Sequence, residues 1–219
     1  MTPVVPYLTA QLEKARAILF TGAGFSMDAK NILHESMPGA ARLKEELWKL
    51  CFPDAPCDPD SNLQTVYEAA MIRNPRGITD LLTGMLSVDG DSLPDWYSVY
   101  FRLPWFKCYT LNIDDLAPRL NNRIWLQRRI EAISGVIDAG NTESDKDTLR
   151  IIHLNGTIQD LPKNVTFSTT QYAERLAREE PVYTHLSAEL LSHPVALALF
   201  IRAAWQKEGT EMGVAFTFG

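Results

Sequence analysis

Cysteine is scarce in this chain, and the scarcity excludes a good deal. Only Cys51, Cys57 and Cys108 are present. Cys51 and Cys57 flank Phe52–Pro56, with no second cysteine pair and no histidine close by. A structural zinc normally takes four ligands, so no zinc site is expected. Cys108 is expected to be an inert buried thiol. The first residues, Met1–Pro6, show neither the basic stretch nor the apolar core of an export signal. With an odd cysteine count, this fits a reducing compartment, and a cytoplasmic location is expected. Positive charge is also in short supply. Twenty-one Lys and Arg against 27 Asp and Glu give a net charge of -6, which argues against direct nucleic-acid binding by this domain. Long apolar runs are missing too. The longest near the end, Val195–Ile201, falls well short of the roughly 20 residues a spanning helix needs, so no membrane association is expected. What remains is ordinary globular composition: 219 residues, 46% hydrophobic and 22% charged. Such a chain can bury one sizeable core and carry a smaller appended module.

The most informative segment is Ala17-Ile-Leu-Phe-Thr-Gly22-Ala23-Gly24-Phe-Ser26. Ala17–Phe20 is apolar without alternation, the pattern of a strand covered on both faces of a parallel sheet. Gly22 and Gly24 follow at once and predict a tight turn with bare N–H groups. A helix starting there would aim its positive end at an anion, which is how a dinucleotide pyrophosphate is cradled. Alone, the glycines fit an ordinary strand-to-helix turn equally well. Two later segments have the same form. Phe106–Thr110 is rich in strand-forming residues and runs into Leu111-Asn112-Ile113-Asp114. Leu149–Leu154 is apolar and ends at Asn155-Gly156-Thr157. Three strands with polar carboxyl ends predict one crevice, where open α/β sheets bind ligands.

Taken in order, G-A-G-F-S, T-L-N-I-D and H-L-N-G-T resemble the motifs of the sirtuin (silent-information-regulator-type) NAD-binding fold, G-A-G-x-S, T-Q-N-I-D or T-T-N-Y-D, and L-H-G. The resemblance spans roughly residues 15–195 and is closer to the bacterial defence-associated branch, whose members typically hydrolyse NAD, than to the protein deacetylases. It implies that Gly22, Ala23, Gly24 and Ser26 form the turn on the pyrophosphate and adenosine side. It implies that Asn112 contacts the nicotinamide ribose and orders water, that Asp114 holds the carboxamide, and that Gly156 is the glycine of L-H-G.

The departures carry as much information. Asn155 stands where the family has its catalytic histidine, and an amide cannot exchange a proton near neutral pH. His153 lies two positions earlier. Strand residues at that spacing share a face about 6.6 Å apart, so His153 is either the displaced catalytic base or a strand histidine with a local hydrogen bond. Lys30–Glu35 replaces the arginine and aromatic that shape the family's nicotinamide pocket. His34 there is expected to be solvated. After Pro194 no second glycine turn is visible, which predicts an incomplete C-terminal end or a sheet closed by further sequence or a partner.

Between the first two motifs, Ala40–Leu50, Leu63–Ile72 and Ile78–Leu86 read as amphipathic helices separated by prolines. They either cap the nicotinamide side of the crevice or cover a sheet face. Trp96, Tyr97, Tyr100, Phe101 and Trp105 are expected to be core rather than a cofactor platform. Leu116–Ile133 reads as a continuing helix whose Arg119, Arg123, Arg128 and Arg129 form a partner surface or a solvated face. Ala139–Asp147 reads as a polar linker. Phe167–Tyr172 resembles the family's lead into a helix.

The expected architecture is α/β: an open Rossmann-like parallel sheet from 1–36 and 102–219, with a helical insertion, 37–101, in place of the zinc ribbon. Two functional classes follow. One is an enzyme cleaving NAD to nicotinamide and ADP-ribose, with Asn112, His153 and Asn155 in the catalytic roles. The resemblance further implies a prokaryotic antiviral or anti-plasmid defence effector, oligomeric and joined to a sensor such as a short Argonaute, a helicase or a nucleotide-sensing domain. The other is a catalytically silent NAD-binding module. Protein deacetylation ranks third.

Overall fold

A computed structural model describes residues 4–122, 128–137, 142–178 and 180–198. Its centre is a five-stranded, wholly parallel sheet: β1 (Ile18–Thr21), β2 (Lys107–Thr110), β3 (Arg129–Ser134), β4 (Thr148–His153) and β5 (Val195–Ala198), in the order β3-β4-β2-β1-β5. The chain is therefore an α/β protein with a Rossmann-like open sheet. The strands β1, β2 and β4 that carry the three motifs are neighbours, so the segments that follow them emerge side by side at the carboxyl edge.

Strand alternation divides the core. Leu19, Cys108, Leu149 and Ile151 face the larger cluster, while Ile18, Tyr109 and Ile152 face the smaller one. Helices cover both faces, which is why Ile18, Leu19 and Phe20 of β1 are apolar without alternation. On the larger face pack α1 (Val4–Glu13), through Leu8 and Leu12, and α3 (Ala40–Cys51), α4 (Leu63–Arg73), α5 (Pro75–Leu86) and α6 (Trp96–Arg102). Leu43, Leu47, Val66, Ile78 and Leu82 of these helices belong to the same core as the sheet. The Asn62 side chain caps α4 by accepting from Thr65 N, and Asn74 caps α5 by accepting from Gly77 N. The smaller face is covered by α9 (Pro181–Ser192), through Val182, Tyr183 and Leu186.

One expectation changes. Leu116–Ile133 is not one helix. The helix α7 (Leu116–Arg119) stops after one turn, a 3₁₀ turn follows at Leu120–Asn122, and the chain then enters edge strand β3. Six residue pairs join β3 to β4, and Asn121 locks its start by accepting from Ile130 N at 2.8 Å and donating to Ile130 O at 2.7 Å. Arg119, Arg128 and Arg129 accordingly share no helix face. Arg119 pairs with Asp115, Arg128 donates to the Trp105 and Leu103 carbonyls, Arg129 lies on β3, and Arg123 lies outside the described residues. Val195–Ala198 forms a strand, β5, in register with the whole of β1. Any turn that follows falls outside the described residues, as does 139–141 of the expected linker.

Candidate functional site

The first motif turns at Gly22, whose φ of -146° and ψ of -171° are β-region values that any residue adopts. The next residues form the single helical turn α2 (Ala23–Ser26). Phe25 anchors it. The rings of Trp96, Tyr97, Tyr100 and Phe101 surround Phe25 edge-on at centroid distances of 5.4–5.9 Å. The Tyr97 hydroxyl donates to Phe25 O at 2.7 Å. The aromatic cluster is core, and its work is to hold the turn in place.

Around that turn the second motif closes a polar network. The Ser26 hydroxyl donates to Asp114 Oδ2 at 2.7 Å. Asn112 Nδ2 donates to Gly22 O at 3.0 Å and to Ser26 Oγ at 2.9 Å. Leu116 N donates to Asp114 Oδ1 at 3.2 Å. Asp114 is buried, and burial pushes its carboxyl up to about 6 against these hydrogen bonds. Asp115 faces elsewhere: it accepts from Val88 N at 2.7 Å and pairs with Arg119.

The third motif comes off β4. Asn155 Nδ2 donates to Leu111 O at 2.9 Å, while its Oδ1 is buried without a protein partner. Arg175, on α8 (Thr169–Ala177), braces this segment from behind, donating to Leu154 O at 2.5 Å and to Thr166 Oγ1 at 2.7 Å. Gly156 is required for its backbone. Its φ is +84°, and a Cβ there would sit 2.5 Å from Asn164 O.

Together these segments floor a cleft of about 210 Å³. Ala23, Ser26, Asn112, Asp114 and Asn155 line its polar side. Met37, Leu43, Leu63 and Leu86 from the helical region, with Phe167 and Tyr172, form an apolar wall. Those helices cover the sheet and also wall the cleft. Among the described residues no lysine or arginine lines it, and Asp114 is its only carboxyl group.

Four sequence-derived residues do not line this cleft. Gly22 contributes its carbonyl through Asn112, Gly24 is buried within α2, and Gly156 shapes the turn. The fourth is His153. Strand pairing ends at His153, so the same-face rule does not carry on to Asn155. His153 is 2% exposed, its Nδ1 donates to Asn112 O at 2.8 Å, and burial pushes its pKa down to about 4. The side chain at the cleft is Asn155. His34 is 81% exposed, near Asp89. Gln64, Leu111 and Thr166 also line the cleft. Leu111 lies within the second motif, whereas no motif contains Gln64 or Thr166, which only the packing of α4 and the loop after β4 brings there.

Cys51 and Cys108 are buried, Cys57 is partly exposed, and all three are free thiols. Among the described residues no three His, Cys, Asp or Glu side chains are grouped to hold a metal, and no helix is long and apolar enough to cross a membrane. No protein-family model matches the chain, and no curated protein matches it.

Proposed function

We propose that this domain binds NAD at the carboxyl edge of its sheet and hydrolyses it to nicotinamide and ADP-ribose. The observation that carries the reading is the Ser26–Asn112–Asp114 network beside Asn155, on the polar floor of one cleft whose opposite wall is apolar. A flat heterocycle suits the wall formed by Leu63, Leu86 and Phe167, and its polar substituents suit the floor. In the reaction the bond between ribose C1′ and the nicotinamide nitrogen breaks, with its electron pair leaving on nitrogen. A water oxygen bonds to C1′ and gives up a proton. Asn112 orients that water or the ribose. Asp114, to which the resemblance gave the carboxamide, is the only carboxyl group lining the cleft among the described residues, and its carboxylate takes that proton. The buried oxygen of Asn155 accepts a hydrogen bond from a ribose hydroxyl. By resemblance to the defence-associated branch, the domain further acts as a defence effector, an oligomer with a sensor partner.

A second reading, a silent NAD-binding module, is favoured by one observation: among the described residues no histidine lines the cleft. Calorimetry with NAD and nicotinamide release followed on the same sample separate the two. Binding with release, lost in Asn112→Ala, is expected. Binding without release supports the silent module, and absence of binding refutes both.

A further inference from the structure

Behind the cleft lies a second cavity of about 20 Å³. Ser26, Asn112 and Asp114 border both spaces and so form the partition between them. Thr21, Cys108, Thr110, Ile151 and His153 also line it. His153 fixes the chemistry of this space. Asn112 O can only accept, so the hydrogen of the neutral imidazole sits on Nδ1 and a lone pair sits on Nε2. Nε2 is buried and has no protein partner. A buried acceptor left bare is costly, and such atoms are usually completed by ordered water. A cavity needs roughly 10–15 Å³ to admit one water molecule, and this one is large enough for a single water. Other polar partners border it: the Thr110 hydroxyl, whose oxygen accepts from Asn112 N at 3.1 Å, and the Asp114 carboxyl.

We propose that the inner cavity is a single-water site in which the water donates to His153 Nε2 and bonds to Thr110 and Asp114, making His153 a positioning residue for Asn112. The imidazole holds the Asn112 carbonyl from one side while the water fixes the tautomer that allows it. The consequence for NAD rests on the proposed function, whereas the water site itself does not.

The test uses the unliganded protein with ¹⁵N-labelled histidine. Expected is one imidazole signal, missing in His153→Gln, that is neutral at pH 7 and protonated at Nδ1. Its Nε2 resonance should lie upfield of an unbonded imine nitrogen, with a magnetisation-exchange peak to water near Thr110. Protonation at Nε2, or an unbonded shift without a water peak, overturns the water site. For positioning, the backbone amide of Ile113, which shares the Asn112 peptide, should move in His153→Leu and return in His153→Gln, whose amide can still donate. NAD affinity should fall about tenfold in the first and recover in the second, a loss equal to one hydrogen bond. Unmoved Ile113 signals in a folded His153→Leu protein refute the positioning role. If His153→Leu does not fold, an Ile113 shift in His153→Gln as large as that of the neighbouring strand amides refutes it instead.

Discussion

The two buried titratable groups beside the partition pull stability in opposite directions with pH. Asp114 is pushed by burial from its ordinary 3.8 up to about 6. Between those values the folded state holds a proton that the unfolded chain has lost, so stability falls as pH rises. His153 is pushed by burial from 6.5 down to about 4, against the Asn112 hydrogen bond and the charges of Asp160 and Asp115. Over that range the unfolded chain holds the extra proton, so stability rises with pH. Each gap corresponds to about 3 kcal/mol. From about pH 4 to 6 the two slopes cancel, and this pair contributes a flat profile in the wild type. Single variants should uncover each slope. Asp114→Asn should gain about 3 kcal/mol in unfolding free energy between about pH 4 and 6.5, whereas His153→Gln should lose about 3 kcal/mol between about pH 4 and 6. Glu68 and Asp145, whose carboxyls are also displaced, are common to all three proteins, so the comparison removes them. Urea denaturation at half-unit pH steps reads the slopes directly. A His153→Gln profile parallel to wild type would mean that the imidazole titrates normally in the folded protein, and the burial argument would fail.

Three further outcomes are expected. Gly156→Ala must place a Cβ 2.5 Å from a backbone carbonyl at φ +84°, and urea unfolding should show a loss of about 2–4 kcal/mol; a loss under 1 kcal/mol would contradict this turn geometry. At the amino edge of the sheet, Glu189 bridges the Lys107 ammonium and, at 2.8 Å, the Tyr109 hydroxyl, with Lys107 only 2% exposed. Glu189→Ala strands that charge and should cost about 3–5 kcal/mol by denaturant titration, while a near-neutral result would place Lys107 in solvent. Tyr97→Phe removes the donor to Phe25 O; it should cost about 1–2 kcal/mol and weaken NAD binding by calorimetry, and unchanged values would detach the aromatic cluster from the turn.

The amino-acid sequence by itself determined the elements whose signal is local. The unbroken apolar run before Gly22 and the polar ends after Thr110 and His153 marked β1, β2 and β4, because a strand buried on both faces needs nothing else to declare itself. The helices α3 to α5 were equally legible from apolar spacing. Strand β3 was not. Its buried residues, Ile130 and Ile133, stand three apart, a helical interval, yet they serve opposite faces of the sheet. Only pairing with β4 makes that segment extended. The same holds within the site. Residue order brought Ser26, Asn112, Asp114 and Asn155 forward as candidates, and adjacency of β1, β2 and β4 gathers them on one cleft floor. Which of His153 and Asn155 meets that cleft depended on where the β4 ladder stops, at His153, and on the left-handed turn at Gly156 just beyond it. Backbone pairing and burial are properties of the assembled sheet, so the tertiary structure alone turned His153 inward and left Asn155 at the edge.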